Sequence, residues 1–341
     1  MPLDLSPRRR WVLKSVVEEY VATATPVSSE SIARKAPVRV STATLRNEMA
    51  ALEEIGLLRH PHTSAGRVPS DAGYRYYVEE LMEPADLELG ELRRIYHQFH
   101  QVEFAIDEWL ALARAVLAQA LHHAALATPP LTSRPKVRRV ELVSLQERLL
   151  LLVLILQSGH IRQQVLPVDE PVERDQLDRL SNKLSLLLEG RAVAGVREMA
   201  ATALGLEREI LQAIVRALEQ AEQQGLEEVQ FEGIRYMLAQ PEFAHSAKLQ
   251  PVMEALERRE LLAPLLAQAL TASDVRVIIG QEQPTEAMRE CSVVMMRYGP
   301  DEDLRGVLGV VGPTRMPYWR AVPLVRFVGS LIDALMRESF R

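Results

Sequence analysis

The sequence predicts an α+β protein of several domains. Its 341 residues exceed the length at which a single hydrophobic core stops growing, which is about 250 to 300 residues. The first 83 residues combine helical patterns with one short hairpin-like segment. Two later groups of strand-like runs are separated by about 100 residues of helical character. A composition of 48% hydrophobic and 25% charged residues is typical of a globular protein.

The N-terminal domain, residues 1–83, begins with two helical patterns. Apolar residues recur at helical spacing from Pro7 to Ala24, and Pro26 ends the pattern because proline cannot continue a helix. Ser28 or Ser29 can then cap a short second helix through Ile32 to Lys35. We therefore expect two helices before the stretch that carries the functional hypothesis.

A third helix is expected between Ser41, whose hydroxyl can accept a backbone N–H of the first turn, and Gly56, which suits the left-handed position after a helix. One face is apolar and carries Leu45, Met49 and Leu52. The opposite face carries Ala43, Arg46, Asn47 and Ala50. Arginine suits the two acceptors of guanine, asparagine suits adenine, and a methyl group can lie against thymine. This face predicts a helix that reads bases in the major groove; the alternative is an ordinary solvated face.

A β-hairpin is predicted after the third helix. A short apolar run at Leu57 and Leu58 precedes polar residues, a turn at 64–66, and a return through Arg67 and Val68. Arg67 beside the turn can reach a phosphate or the minor groove. Three helices followed by a hairpin predict a winged helix-turn-helix, which is a DNA-binding unit.

Polar side chains around the third helix and the hairpin predict contacts to the DNA backbone. His60 and His62 also suggest a metal pair, but no cysteine or carboxylate cluster accompanies them, so we interpret His62 as a phosphate contact or an exposed residue. The predicted backbone contacts are Ser41, Thr42, Thr44, His62 and Arg67.

A linking helix is predicted over residues 84–128. Apolar residues alternate by four and three from Leu92 to Val116, which is a heptad seam. Such a seam must pack against another surface. It forms either a coiled-coil contact between two copies or a contact with the protein's own next domain, and the pattern does not distinguish them.

Strand-like runs predict a mixed domain after a proline-rich boundary at 129–135. Three strands alone make a small sheet, whereas six strands and a closing helix at 317–340 make a domain. We therefore predict one discontinuous domain, residues 129–170 and 271–341, interrupted by a mostly helical insertion at 171–270. The runs are Arg139–Leu145, Leu149–Gln157, His160–Pro167, Asp274–Gly280, Cys291–Tyr298 and Leu304–Val311.

The charge distribution favours specific contacts to DNA over bulk attraction. The net charge is −6, but residues 1–80 carry 11 basic and 10 acidic residues, whereas the remainder carries 29 basic and 36 acidic residues. A body that repels DNA and a mildly basic end predict binding that weakens with salt. The content of aromatic residues, 5%, is low for a protein that stacks on single strands.

The remaining sequence features predict a cytoplasmic protein without catalytic chemistry. The single cysteine, Cys291, fits a reducing compartment and lies in an apolar run typical of packing. We expect no signal peptide, and the most apolar run, Leu149–Leu156, is too short to span a membrane, which takes about 20 residues. No nucleotide-binding glycine loop, zinc-protease or serine-hydrolase motif occurs in the sequence. We predict no enzyme, no cofactor and no metal.

Two segments in this order, STATLRNEM and HPHTSAGRVPSDAGYRYYV, resemble the signature of the HrcA family, the heat-inducible transcription repressors of bacteria. The resemblance in length and domain order extends along the whole chain. It implies that the mixed domain is GAF-like and that the insertion is a dimerisation domain. It also implies a homodimer that represses chaperonin and chaperone operons by binding an inverted repeat upstream of them.

The resemblance implies the GroEL chaperonin as a partner. Free chaperonin would keep the repressor folded and active until heat-damaged protein occupies it. An interrupted domain with many non-local contacts is expected to fold slowly, which makes a need for chaperonin reasonable. Two alternatives remain: a repressor that senses a small molecule through its GAF-like domain, and a scaffold whose N-terminal domain binds protein. Either the long helix or the inserted helices can form the dimer surface.

Overall fold

The computed structural model describes residues 4–36, 40–61, 66–102, 105–130, 135–157, 159–224, 229–244, 246–300 and 304–339. The chain is a mixed α+β protein, as the sequence predicts. It divides into two compact units. The main unit comprises Met1–Pro129, Val229–Tyr298 and Gly306–Arg341, and the inserted unit comprises Pro130–Glu228 and Gly299–Arg305.

The main unit begins with a small N-terminal head, residues 4–81. Its elements are α1 Pro7–Thr23, α2 Ser29–Lys35, α3 Thr42–Glu54, β1 Leu58–Arg59, β2 Val68–Pro69 and α4 Asp71–Tyr76, followed by a π-helical turn, Tyr77–Leu81. The predicted helices and hairpin strands are confirmed. Serine hydroxyls accept backbone N–H groups at the starts of α1, α2, α3 and α4. These bonds satisfy donors that a helix start otherwise leaves open.

The core of the head forms where α3 packs against α1, α2 and β1. The predicted apolar face of α3 is buried, with Leu45 and Leu52 at 0% exposure and Met49 at 3%. Burying each such side chain stabilises the fold by about 1.5 to 3 kcal/mol. Because this face is used for packing, the opposite face of α3 is turned away from the core.

The predicted single helix over 84–128 is wrong. The segment forms α5 Leu89–Gln101 and α6 Ile106–Leu121, and its last residues form strand β3, Ala124–Ala127. The backbone is extended at Val102, where ψ is 136°. A heptad pattern reports only which side chains are buried, and two shorter helices can bury the same seam.

The apolar seam packs inside the protein. Trp109 and Ala113 are buried, and α6 packs against β3 of the same chain. Of the two alternatives that the heptad pattern leaves open, the structure therefore supports docking onto the chain's own sheet for this part of the seam. His122 ends α6 in a left-handed conformation with φ 56°.

The inserted unit contains a three-stranded antiparallel sheet in the order β4-β5-β6. Helix α7 packs against β4, and α9 packs against β6. The hydroxyls of Ser181 and Ser185 each accept a backbone N–H of β4, which fixes α7 on the sheet. The elements are β4 Val137–Gln146, β5 Leu149–Leu156, β6 Ile161–Pro167, α7 Arg174–Leu188, α8 Val193–Thr202 and α9 Gly205–Gln224.

The main unit contains a five-stranded antiparallel sheet in the order β7-β3-β10-β9-β8. Helices α6, α10, α12 and α13 pack against it. Its remaining elements are β7 Gln230–Glu232, α10 Ile234–Leu238, α11 Ser246–Glu257, α12 Ala263–Leu270, β8 Arg276–Ile279, β9 Cys291–Tyr298, β10 Gly306–Pro313 and α13 Tyr318–Ser339.

The predicted domain 129–170 plus 271–341 is therefore wrong, as are the boundaries of the insertion at 171–270. The strands within 137–167 pair with one another, and the C-terminal strands pair with β3 and β7 instead. Short connections within 137–167 let each strand pair with its neighbour in sequence, the commonest arrangement. The six runs were located correctly, but their spacing does not reveal which runs share a sheet.

Candidate nucleic-acid interface

The exposed face of α3 holds the predicted base-reading residues together. Ala43, Arg46 and Asn47 are exposed and Ala50 is half-buried. The side chain of Arg46 is 70% exposed, which leaves its guanidinium open to a ligand. We call Ala43, Arg46, Asn47 and Ala50 the base-reading face, and the structure places them on one side of one helix.

An acidic partner on α2 holds Arg46 loosely in the free protein. The Nη2 atom of Arg46 lies 3.4 Å from Oε1 of Glu30. The pKa of Glu30 lies below its ordinary value, chiefly because its own backbone N–H and the Ser28 hydroxyl donate to the carboxylate. Water screens an exposed pair of this kind, so Arg46 can leave it at small cost.

The start of α3 carries three of the predicted phosphate contacts. Ser41 and Thr42 are exposed and Thr44 is half-buried. The Oγ of Ser41 accepts the backbone N–H of Thr44 at 3.0 Å and lies 2.8 Å from its hydroxyl oxygen. The bond between the Ser41 and Thr44 hydroxyls uses the O–H of one of them, so the O–H of the other can donate to a phosphate.

The hairpin is held against the helices by Arg67. Its backbone N–H and C=O pair with the C=O and N–H of Val27 at 2.9 and 2.8 Å. Its Nε lies 2.7 Å from Oε2 of Glu53 on α3, and the side chain is 20% exposed. Sequence patterns gave no indication of these hydrogen bonds or of this ion pair. Arg67 therefore joins the hairpin to α3, whether or not it also meets DNA.

The tip of the hairpin lies partly outside the described residues. His62 and the rest of segment 62–65 fall there, so the predicted contact by His62 stays a prediction. His60 is exposed, and its Nδ1 lies 3.0 Å from the carbonyl oxygen of Gly66. A Cβ on Gly66 would lie 2.7 Å from the carbonyl carbon of Pro26, so this position requires glycine.

Two arginines that the sequence analysis did not assign to DNA lie beside α3. The Nε of Arg9 donates to Oε2 of Glu48 at 2.9 Å, and Nη1 of Arg8 lies 3.8 Å from Oε1 of the same carboxylate. Glu48 directly follows Asn47 of the base-reading face. In the sequence, the run Arg8–Arg9–Arg10 was the feature that could have indicated a basic site. Only the packing of α1 beside α3 shows that Arg8 and Arg9 lie next to the base-reading face.

The head is joined to the five-stranded sheet by an arginine fork. On α4, Arg75 donates through Nε to Oε1 of Glu282 at 2.7 Å and through Nη2 to Oε2 of Glu282, and Nη2 also donates to the carbonyl of Val277 at 2.7 Å. The backbone N–H of Gln281 donates to Oδ2 of Asp71 at 2.9 Å. The head is thus fixed by its α4 side, and the base-reading face stays exposed.

Aromatic rings strengthen this junction. The sequence favours packing of the tyrosines of α4 against the hairpin. In the structure the ring of Tyr74 lies 5.8 Å from that of Tyr318, and Tyr77 lies 6.3 Å from Trp319, both on α13. Because these partners on α13 are more than 240 residues away in sequence, no local pattern could have revealed these contacts.

Three further features bear on catalysis, metal binding and membrane insertion. Burial raises the pKa of the Cys291 thiol to about 12, so it is a poor nucleophile. Within the described ranges no cluster of three or more histidine, cysteine or acidic side chains is arranged to hold a metal. The helices of the described part also include none that is long and apolar enough to cross a bilayer.

Comparison with known proteins places the chain in a family. The family model described as the HrcA protein C-terminal domain matches residues 107–322. The heat-inducible transcription repressor HrcA of Herpetosiphon aurantiacus is 41% identical over 347 residues, covering 100% of this chain and 98% of that protein. The chain belongs to the HrcA family. The resemblance inferred from the two sequence segments is confirmed.

Further HrcA relatives match over nearly their full length. The proteins of the same name from Chloroflexus aurantiacus and Thermomicrobium roseum are 41% and 40% identical, covering 98% and 99% of this chain and 95% and 97% of the relatives. A crystal structure described as that of a hypothetical protein has a TM-score of 0.66 at 23% identity, covering 98% of this chain and 100% of that one. That likeness concerns the fold alone.

Proposed function

We propose that this member of the HrcA family is a heat-inducible transcription repressor that binds double-stranded DNA through its head. The observation that supports this most directly is that the face of α3 carrying Arg46 and Asn47 is exposed, although the helix packs against α1, α2 and β1. Repression would follow from occupancy of a promoter, and the protein would act in the cytoplasm, at the nucleoid when bound to DNA.

The dimensions of α3 suit the major groove. A helix with side chains is about 10 to 12 Å across, and the major groove of B-DNA is about 12 Å wide. In the groove, Arg46 would address guanine and Asn47 adenine, with the methyl groups of Ala43 and Ala50 beside them. Ser41, Thr42 and Thr44 at the helix start would donate to phosphates along the groove edge.

We assign the head to the winged helix-turn-helix class. The support is the order α1, α2, α3 and the antiparallel pair β1 and β2. In this assignment the hairpin is the wing, and Arg67 and His62 would approach the DNA backbone. The ion pair with Glu53 leaves Arg67 two Nη groups for this contact.

We propose that the repressor is a homodimer on an inverted repeat, because a two-fold protein presents one α3 to each half of a palindrome. The surface we assign to the dimer is the outer face of the sheet β4-β5-β6. There Val143 pairs with Leu151 and Leu151 with Val165, while Ile155 pairs with Ile161. Val143, Val165 and Ile161 are 47%, 50% and 57% exposed.

The size and charge of this outer face favour a second copy as its occupant. Three strands about 4.8 Å apart and seven residues long, at about 3.4 Å per residue, present roughly 340 Å². This area lies within the range of the largest exposed patch on a typical monomer, and such patches are often functional. Arg139 and Glu141 lie on the same face and form an ion pair with each other at 2.5 Å, so these two charges cancel and do not repel a second copy. A stable dimer buries about 800 Å² per partner, so neighbouring surface must contribute.

The GroEL chaperonin is proposed as the modulating partner. Strand β3 pairs with β7 and β10, which are about 100 and 180 residues away, so the main sheet closes only after long segments have been made. Such contacts slow folding, and the outer face of β4-β5-β6 remains apolar and exposed meanwhile. Complete refolding at the same rate with and without chaperonin would remove this part of the proposal.

A repressor that senses a small molecule through a GAF-like domain is the second candidate. We assign the five-stranded sheet of the main unit to that GAF-like role. A cavity of about 570 Å³ borders Ala85, Glu88 and Trp319, at the start of α13 and outside the sheet. Its position gives no support for a ligand inside the sheet, so we retain the chaperonin-linked repressor.

The deciding experiment compares two duplexes. Binding of the full chain to the family's inverted repeat and to a scrambled duplex is measured by fluorescence anisotropy at fixed salt. Arg46→Ala and Asn47→Ala should each weaken binding to the inverted repeat about 5- to 150-fold, the value of about 1 to 3 kcal/mol per base contact, and lower the preference. Arg337→Ala on α13 is the control. Equal binding of the wild-type protein to both duplexes would refute the proposed function.

A further inference from the structure

The first turn of α1 lies beside the base-reading face, on the α1 side of α3. Arg8 and Arg9 both approach Glu48, at 3.8 and 2.9 Å, and Glu48 is 18% exposed. Their own side chains are 58% and 40% exposed. The guanidiniums therefore lie beside α3, and both side chains are partly open to water.

The pairing changes the local charge in a way that suits DNA. A carboxylate next to Asn47 would repel a phosphate if it stood alone. Glu48 is faced by two guanidiniums, so the cluster of Arg8, Arg9 and Glu48 carries a net charge of +1. Arg9 uses Nε on Glu48, which leaves its two Nη groups as donors that can fork onto a phosphate.

The next arginine in the run is directed elsewhere. The Nε of Arg10 donates to the carbonyl of Leu5 at 3.1 Å, and its Nη2 lies 3.6 Å from Oδ1 of Asp4. Arg10 thus binds the segment that precedes α1. It has the same charge as Arg8 and Arg9 but a different partner, which provides a matched comparison.

We propose that Arg8 and Arg9 bind DNA phosphates at the edge of the groove that α3 enters, with Glu48 as the residue that positions Arg9. This inference rests on the proposed function and extends it to α1. A helix that fills a groove about 12 Å wide brings its flanking neighbours against the phosphate walls on either side. Arg8 and Arg9 fix register on the duplex and carry no sequence information.

The salt dependence of binding distinguishes phosphate contacts from base contacts. Each neutralised phosphate contributes about 0.9 to the slope of log K against log salt. Arg8→Ala and Arg9→Ala should each reduce the slope by about 0.9 and weaken binding about fivefold at 0.15 M salt, for inverted-repeat and scrambled duplexes alike. Arg10→Ala should change the slope by no more than about 0.3, which is a third of the value for one phosphate contact. Arg8→Lys and Arg9→Lys should keep most of it, since a lysine still neutralises phosphate.

Glu48→Gln separates a DNA contact from a merely structural pair. Glutamine keeps an oxygen that can accept the Nε–H of Arg9 but carries no charge, so if Arg9 binds phosphate, Glu48→Gln should strengthen binding to both duplexes. If the pair only supports the fold, Glu48→Gln and Arg9→Ala should act alike, lowering the melting temperature and leaving the slope unchanged, and the inference is overturned. Melting curves of every variant show which loss reflects unfolding.

The outcomes for the two proposals differ. A wild-type preference for the inverted repeat, with Arg8→Ala and Arg9→Ala behaving like Arg10→Ala, overturns this inference and leaves the proposed function intact. Wild-type protein that binds neither duplex, or both equally, refutes the proposed function itself. A wild-type preference for the inverted repeat, with a reduced slope and an unchanged preference ratio in Arg8→Ala and Arg9→Ala, supports both.

Discussion

Substitution of Arg75 is expected to loosen the head from the five-stranded sheet. Arg75 makes two hydrogen bonds to the carboxylate of Glu282 and one to the carbonyl of Val277. These residues lie more than 200 positions away in sequence, so the contacts form only when the head is docked. Arg75→Ala removes all three and leaves Glu282 with the backbone N–H of Ile279 as its partner.

The expected magnitude follows from the geometry and the exposure. A hydrogen bond to a charged group contributes about 1.5 to 3 kcal/mol, but an exposed ion pair contributes about 0 to 1 kcal/mol. The side chains of Arg75 and Glu282 are 26% and 39% exposed, so the pair lies between these limits. We expect a coupling free energy of about 1 to 2 kcal/mol between the two residues, or about a 5- to 30-fold change in the population of undocked heads.

Hydrogen exchange measures that population. Backbone amides of α4 and of β8 should exchange about 5- to 30-fold faster in Arg75→Ala and in Glu282→Gln, and the double variant should add little. Arg326→Ala is the control, because Arg326 forms a similar fork with Asp274 at 45% and 60% exposure and should change exchange less. Additive effects of Arg75→Ala and Glu282→Gln, or effects no larger than the control's, would refute the reasoning.

Three further outcomes can be measured. Burial alone raises the pKa of Glu282, but hydrogen bonds from Arg75 and the Ile279 N–H hold the pKa below its ordinary value of 4.5. The ionised carboxylate therefore stabilises the folded state fully above about pH 4.5, and this stabilisation is lost as the pH falls through the folded-state pKa. The melting temperature should drop in acid, and it should drop less steeply in Glu282→Gln. Gly73→Ala puts a Cβ 2.0 Å from the Leu57 carbonyl oxygen and should destabilise the head by about 3 kcal/mol. Gly90→Ala is the control, because a Cβ there meets no atom within 4 Å and should not destabilise the protein. Urea unfolding measures the free energy of unfolding of both variants. Leu151→Lys should convert the proposed homodimer to monomer in sedimentation velocity, and a homodimer that persists in this variant would exclude the outer face of β4-β5-β6 as its contact surface.

Local patterns predicted the elements of the head well. Ser41 was expected to cap the third helix and does so, and Gly56 follows it with φ 79°. Leu45, Met49 and Leu52 were expected on the buried side and are buried. These features depend on interactions within one or two helical turns, and such interactions can be inferred from residue spacing. The DNA contacts assigned to the base-reading face stay predictions.

Predictions that needed long-range information failed. The heptad seam from Leu92 to Val116 was read as one helix, because spacing alone cannot detect the break at Val102. The strands near 137–167 were assigned to the sheet of the C-terminal strands, although they form their own. Strand pairing depends on which backbones meet in space, and a strand-like run fits many partners equally.

The sequence by itself determined the family, the helices and strands of the head, and the side of α3 that stays exposed, because capping, periodicity and motif order are local properties of the chain. Only the tertiary structure decided that Arg75 reaches Glu282, that Arg67 is tied to Glu53, and that Arg8 and Arg9 lie beside Glu48. Those contacts join residues between 14 and 207 positions apart. They exist because the packing of buried faces brings the charged groups within reach, and no pattern of spacing encodes that approach.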